Sequence, residues 1–172
     1  ICLPHTTDTD YVLPDAFTNG SLHGLIIMNV YSSLLFRALN QLPLPKVFLD
    51  CIPGVHFNDI NGDLVLFEGR STTESIVRHV TEQGYKKIAF IGDISYAQTN
   101  YERYIGYCSG LEKAGIPLLP QYCLTGPIES DSYQMEINAF LDSFKEMPDM
   151  IGCASDYIAQ LTTQQLVLFG YR

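Results

Sequence analysis

The stretch LVLFEGRSTTESIVRHVTEQGYKKIAFIGD, residues 64–93, decides the fold. It opens on an apolar, β-rich run, LVLFE (64–68), and closes on another, KKIAFIGD (86–93). The part between them is patterned as a helix. Ser71 and Glu74 are spaced as a capping box, Ile76, Val77 and Val80 share one face, and Gly84 stands where a helix stops. Strand, helix, strand is the repeating unit of a parallel sheet covered on both faces. The unbroken apolar strands agree, because a strand buried on both sides need not alternate.

The same rhythm extends in both directions. Strand-like runs recur at GLIIMN (24–29), KVFLD (46–50), QYCLTG (121–126) and MIGCAS (150–155). Helical patterns fill 32–42, 71–84, 100–114, 132–145 and 156–169, so the chain is expected to be α/β. One segment departs from the alternation. CIPGVHFNDINGDLVLF (51–67) is turn-rich, with Asn61-Gly62 set as a tight turn before a strand. There is no internal repeat, low-complexity tract or linker-like shift in composition.

Of 172 residues, 47% are hydrophobic and 17% charged, enough for a real core, and the net charge is −9. An acidic chain without a basic patch gains nothing from phosphate neutralisation, so these residues are not expected to bind nucleic acid themselves. No run approaches the roughly 18 apolar residues of a membrane span, and no leader pattern opens the chain. The five cysteines (Cys2, Cys51, Cys108, Cys123, Cys153) are odd in number and form no CxxC. They read as free thiols in a reducing, cytoplasmic setting.

Catalytic and metal signatures are missing. There is no Gly-rich phosphate loop, GxSxG elbow or HExxH. Asp59, Asn61 and Asp63 mimic the opening of a calcium loop, but Leu64 and Arg70 occupy the positions that need glycine and glutamate. His5, His23, His56 and His79 are scattered. No catalytic residue, metal ligand or cofactor is expected.

What remains is a set of polar residues at strand-to-helix junctions, where ligands bind in open α/β sheets. Asn29 follows GLIIM, Glu68 and Ser71 follow LVLFE, and Ser155 and Asp156 follow MIGCA. Arg103 comes one loop after KKIAFIGD, in NYERYIGYCSGLEKAGI (100–116). There Tyr101, Tyr104, Ile105, Cys108 and Leu111 recur at helical spacing, Asn100 suits the start, and Gly115 suits the end. This puts Arg103 in the first turn, where the helix dipole costs a cation roughly 0.3–1 kcal/mol. Each residue has a plainer role as well. Ser71, Ser155 and Asp156 serve as helix caps, Ser71 above all. Glu68 serves as a solvated strand end, Asn29 as a turn residue, and Arg103 as a partner of Glu102 or Asp93.

The order of these pieces resembles the effector-binding domain of the LacI/GalR family of bacterial transcription regulators. LHGLIIMN is similar to its DGII strand, PLPKVFLD to its PVVxxD strand, and HVTEQGYKKIAFIGD to hLxxxGHxxIaxi. NYERYIGYCSGLEKAGI is similar to sxxRxxGyxxALxxxGi, and IGCASDYIAQ to vfaxnDxxAxG. The match runs in register from about Leu22 to Arg172. His23, Gly84-Tyr85 and Glu68-Gly69 depart from the family's Asp, GH and DN, which bears on the ligand rather than on the fold.

The resemblance implies a two-lobed, periplasmic-binding-protein-like (type I) fold with parallel sheets flanked by helices. The expected lobes are residues 1–93 and 94–172, the chain crossing near Asp93. A small polar effector, a sugar or sugar derivative, is expected between them. Arg103 matches the family's ligand-binding arginine, Asp156 its aspartate, and Ser155 its preceding asparagine. Asn29, Ser71 and Glu68 fall at further lining positions, and Tyr133 at the aromatic wall. Operator DNA would be bound through an N-terminal helix-turn-helix that this chain lacks, by a homodimer, with no membrane contact. Against the family's pattern the chain also looks short at both ends, so a longer native protein is expected. Two rival readings are a transport-type periplasmic sugar-binding protein and an α/β enzyme at the same sheet edge, the latter without a catalytic pair.

Overall fold

The computed structural model describes residues 3, 12–128 and 132–171; Cys2 and His5 lie outside them. The chain forms two compact units, Ile1–Phe67 and Glu68–Arg172. The division therefore falls before the second helix of the chain, well ahead of the expected crossing at Asp93.

The first unit runs β1 (Leu25–Met28), α1 (Ser33–Asn40), β2 (Lys46–Leu49), β3 (Asp63–Val65), paired in the order β1-β2-β3. All pairings are parallel, with Ile27 opposite Phe48 and Phe48 opposite Leu64. Ser32 caps α1 by accepting from Leu35 N, and the helix lays Leu35, Phe36 and Leu39 over Ile27 and Phe48. Among the described residues only that face is covered. Ile26 is 74% and Met28 60% exposed, so β1 alternates, contrary to the expectation of burial on both sides. An apolar run is ambiguous here, because β-branched and flexible apolar residues suit either face of a strand.

A buried lysine closes this unit. Lys46 Nζ donates to the carbonyls of Leu42 (2.6 Å), Asn61 (2.9 Å) and Asn40 (3.3 Å). Three carbonyls match the three N–H bonds of an ammonium group, and burial lowers the lysine's pKa. The Asn40 side chain adds bonds to Asp59 O and Asn61 N, tying the end of α1 to the turn before β3.

The second unit runs α2 (Arg70–Glu82), β4 (Ile88–Ile91), α3 (Gln98–Lys113), β5 (Cys123–Leu124), α4 (Tyr133–Asp142), β6 (Met150–Cys153) and α5 (Asp156–Leu168). Its sheet is also parallel, in the order β5-β4-β6. β4 is central and wholly buried. Around it pack Val77 of α2, Tyr107 and Leu111 of α3, Ile137 and Leu141 of α4, and Ile158 of α5. Ile76, expected on the core face of α2, is exposed.

α2 belongs to this unit because it lies hard against α3. A Cβ on Gly106 would stand 2.2 Å from the Arg70 carbonyl oxygen, and one on Gly110 2.7 Å from Val77 Cβ. The buried stripe of α3 thus passes through Gly106, Tyr107, Gly110 and Leu111, while Tyr101 is exposed and Tyr104, Ile105 and Cys108 are half-buried. Hydrophobic spacing points one position aside, since a packing glycine carries no apolar signal. Glu74 bridges the two helices, accepting from Ser109 Oγ (2.7 Å) and Lys113 Nζ (2.5 Å).

Candidate functional site

The strands of the second sheet are parallel, so their carboxyl ends share one edge, and the helices that follow start there. That edge gathers most of the polar residues singled out by the sequence.

At the start of α2 the cap is not the expected Ser71–Glu74 box. The N-cap is Gly69, without a side-chain bond, and the work falls to Glu68. Its carboxylate accepts from Ser71 N (2.6 Å), Ser71 Oγ (2.7 Å), Thr72 N (3.1 Å) and Thr72 Oγ1 (2.5 Å). These are N–H groups that an α-helix leaves without internal partners. The Thr72 hydroxyl first, then the Ser71 hydroxyl and amide, hold the Glu68 carboxyl down at about 2. Glu68 and Ser71 therefore satisfy each other.

At α3 the N-cap is Ala97, not Asn100, which lies inside the helix, buried, donating from Nδ2 to Asp93 O (3.1 Å). Arg103 consequently sits in the second turn, where the dipole penalty has largely faded. Neither expected carboxylate takes it. Glu102 accepts from Gln98 Nε2 (2.9 Å), and Asp93 accepts from Ser95 N (2.8 Å) and Oγ (2.6 Å). Arg103 Nη1 instead donates to the carbonyl of Ala154, at the end of β6. Its stem passes so close to Gly69 that a Cβ there would stand 2.9 Å from Arg103 Cγ.

Ala154 leads directly into α5. Ser155 is its N-cap, its hydroxyl accepting from Ile158 N at 3.3 Å, as one of its two expected roles required. Asp156 occupies the first turn and is exposed, and its carboxylate has no hydrogen bond or ion pair with any described residue. Next comes Tyr157, whose ring meets that of Tyr133 edge-on, centroids 6.1 Å apart and planes 80° apart. Burial pushes the Tyr133 phenol up, and nearby Asp93, Tyr96, Glu136 and Tyr157 push the same way.

Contacts and chain neighbours thus link Glu68 and Ser71, through Gly69, to Arg103, then Ala154 and the run Ser155, Asp156, Tyr157, and so to Tyr133. Six of the seven residues singled out lie on this path. The seventh, Asn29, belongs to the first unit, at the end of β1. It adopts a left-handed backbone, φ 56°, and Asp50 at the end of neighbouring β2 does the same, φ 68°. Two non-glycine residues in that region at adjacent strand ends are unusual, and such backbones concentrate at functional positions. Asp50 and Tyr157 escaped the sequence reading. Each had a signal, as the acid closing KVFLD and as the aromatic following Asp156.

The class of fold is that of the LacI/GalR effector-binding domain, in sequence pattern and in architecture alike. No described family profile matches the chain. A curated relative, the HTH-type transcriptional repressor PurR of Actinobacillus pleuropneumoniae serotype 5b, is 24% identical over 135 residues, covering 78% of this chain and 39% of its own. PurR of Photobacterium profundum is 25% identical over 151 residues, covering 87% and 44%. Among solved structures, a transcriptional regulator CelR–cellobiose complex superposes with a TM-score of 0.75 at 20% identity, covering 91% of this chain and 47% of its own. Transcription regulator CcpA of Lactococcus lactis gives 0.72 at 16% identity, covering 92% and 56%. The chain therefore spans about half the length, or less, of the regulators it matches.

Proposed function

We propose that this chain is the effector-sensing domain of a LacI-type transcription repressor, and that it binds a small polar ligand, a sugar or sugar derivative. The observation that carries the reading is the anchoring of Arg103 on Ala154 O, two residues before Asp156, whose carboxylate is left unengaged by any described residue. One Nη of Arg103 is fixed on Ala154 O, which orients the rest of a five-donor fork. Asp156 supplies a carboxylate acceptor within three residues of that carbonyl. Together they offer donors and acceptors to adjacent hydroxyls, with Ser155 and Tyr133 beside them.

In this reading the ligand acts by binding one conformation of the native protein better than another, which shifts the population that its DNA-binding heads present. Such coupling is typically about 1–3 kcal/mol. Operator DNA would be contacted through a separate helix-turn-helix, in a cytoplasmic homodimer. No bond is made or broken, and no cofactor or metal takes part. Among the described residues no helix is long and apolar enough to cross a membrane. Sequence relatives that are repressors favour this reading over a transport-type binding protein. The test is a thermal-shift screen of the native protein against sugars, sugar phosphates, purines and amino acids, beside Arg103→Ala. A stabilising ligand that loses its effect in the variant supports the site; one that stabilises both proteins equally removes Arg103 from it.

A further inference from the structure

The dipeptide Asn-Gly occurs twice in the chain, at Asn19-Gly20 and at Asn61-Gly62. Asparagine is a chemically labile residue, and before glycine it is most open to attack by the next backbone nitrogen, which no side chain shields. Both pairs are exposed, so exposure does not distinguish them. What holds the chain around each pair does. Asn61 is tied to distant parts of the first unit. Its backbone N–H donates to Asn40 Oδ1 (2.8 Å), its Nδ2 to Asn40 O (3.3 Å), and its carbonyl accepts from buried Lys46 Nζ (2.9 Å). Gly62 lies so close to Lys46 that a Cβ there would stand 2.6 Å from that residue's Cγ and carbonyl oxygen. Turning the Gly62 nitrogen onto the Asn61 side chain would disturb the Lys46 cluster and the end of α1.

The bonds around Asn19 stay within its own turn. Its N–H donates to Asp15 O (2.9 Å), its Oδ1 accepts from Ser21 N (2.9 Å), and Ser21 Oγ donates to Ala16 O (3.2 Å). Gly20 takes a left-handed backbone, φ 80°, and a Cβ on it would meet no atom within 4 Å. A turn held by such local, exposed bonds opens without disturbing the core. The Ser21 bond also bears on the chemistry. It folds the Asn19 side chain forward over the Gly20 peptide. It also sets an N–H donor on Oδ1, the oxygen that gains negative charge when Cγ is attacked.

We propose that Asn19 is a site of spontaneous deamidation and isomerisation, and that Lys46 and Asn40 protect Asn61 from the same reaction. Gly20 N gives its proton to a solvent base and bonds to Asn19 Cγ. The Cγ–Nδ2 bond then breaks, and Nδ2 leaves as ammonia with a proton from solvent. Water opens the resulting five-membered imide at either carbonyl, giving aspartate or isoaspartate, with nothing oxidised or reduced. Either product adds a negative charge to an already acidic chain. Isoaspartate also routes the main chain through the side-chain carbons, between buried Phe17 and β1.

The native protein is incubated at mildly alkaline pH, with and without urea, and peptide mass spectrometry follows the amide-to-carboxyl mass gain at each asparagine. In the folded protein Asn19 is expected to convert about tenfold or more faster than Asn61, whose opening must break bonds to Asn40 and to a buried ammonium group. In urea the two should convert at similar rates. Asn40→Ala should speed conversion at Asn61 and leave Asn19 unchanged. Equal rates at the two sites in the folded protein would overturn the protection of Asn61. A folded Asn19 that stays intact while the urea-unfolded chain converts would overturn the site itself. Rates in urea as unequal as those in the folded protein would assign the difference to flanking sequence and overturn its structural origin. An Asn61 as slow in Asn40→Ala as in wild type would remove Asn40 from the protection.

Discussion

Two helices of the second unit begin on the same sheet edge with an acidic residue at the junction, and the two acids do opposite jobs. Before α2, Glu68 spends its carboxylate on the helix, taking two amides and two hydroxyls. At α5, the hydroxyl of Ser155 does the capping, and Asp156 keeps its carboxylate in water. The difference follows from position. Glu68 precedes its N-cap and has a side chain long enough to fold back over the first turn. Asp156 is already inside its helix, and Ser155 has taken the Ile158 amide. An acid at a helix start is therefore a ligand candidate only when another group has satisfied the amides.

This contrast can be broken in several places. The largest effect is expected at Arg103, the cation both junctions share through Gly69 and Ala154. Arg103→Ala should cost about 2 kcal/mol or more of affinity for whichever sugar gives the largest thermal shift, roughly 30-fold. Unchanged affinity by calorimetry would remove it from the site. Ser155→Ala should cost about 1 kcal/mol of stability through its lost cap. Chemical denaturation would show this as a lower midpoint, whereas an unchanged midpoint would make the hydroxyl a ligand group instead.

Acid titration sharpens the contrast further. The folded Glu68 carboxyl lies at about 2, below the ordinary 4.5. A depressed carboxyl stabilises the fold above its unfolded pKa and loses that contribution as pH falls through the folded value. Melting temperature should thus drop between about pH 4.5 and 2, and Glu68→Gln should flatten that part of the profile. Matching profiles would show that Glu68 contributes nothing there. The smallest effect is expected of Ser71→Ala, since Thr72 and both amides still hold Glu68: a slight loss of melting temperature and no change in affinity.

Much of the architecture can be read from the residues alone. Each expected strand and helix occurs at its place, because long apolar runs and capped amphipathic segments are strong local signals. The boundary between units could not be read that way. It depends on Gly106 and Gly110 drawing α2 onto α3, a tertiary contact made by residues with no side chain. The caps failed for a related reason. Ser71 with Glu74 and Asn100 with its helix have the right spacing, but Glu68 and the Asp93 carbonyl compete for the same groups and win. At the candidate edge, residue types marked the junctions, whereas the partner of Arg103 and the pairing of Tyr133 with Tyr157 span distant parts of the chain.

The most direct test of the division of labour sets Asp156→Asn beside Glu68→Gln, measuring melting temperature and sugar affinity on the same samples. The account predicts that Asp156→Asn loses affinity by more than tenfold, as loss of a charge-assisted hydrogen bond of about 1.5–3 kcal/mol requires, and keeps its melting temperature. It predicts that Glu68→Gln melts lower and keeps its affinity. The reverse pattern, with Asp156 needed only for stability and Glu68 for the ligand, would contradict it.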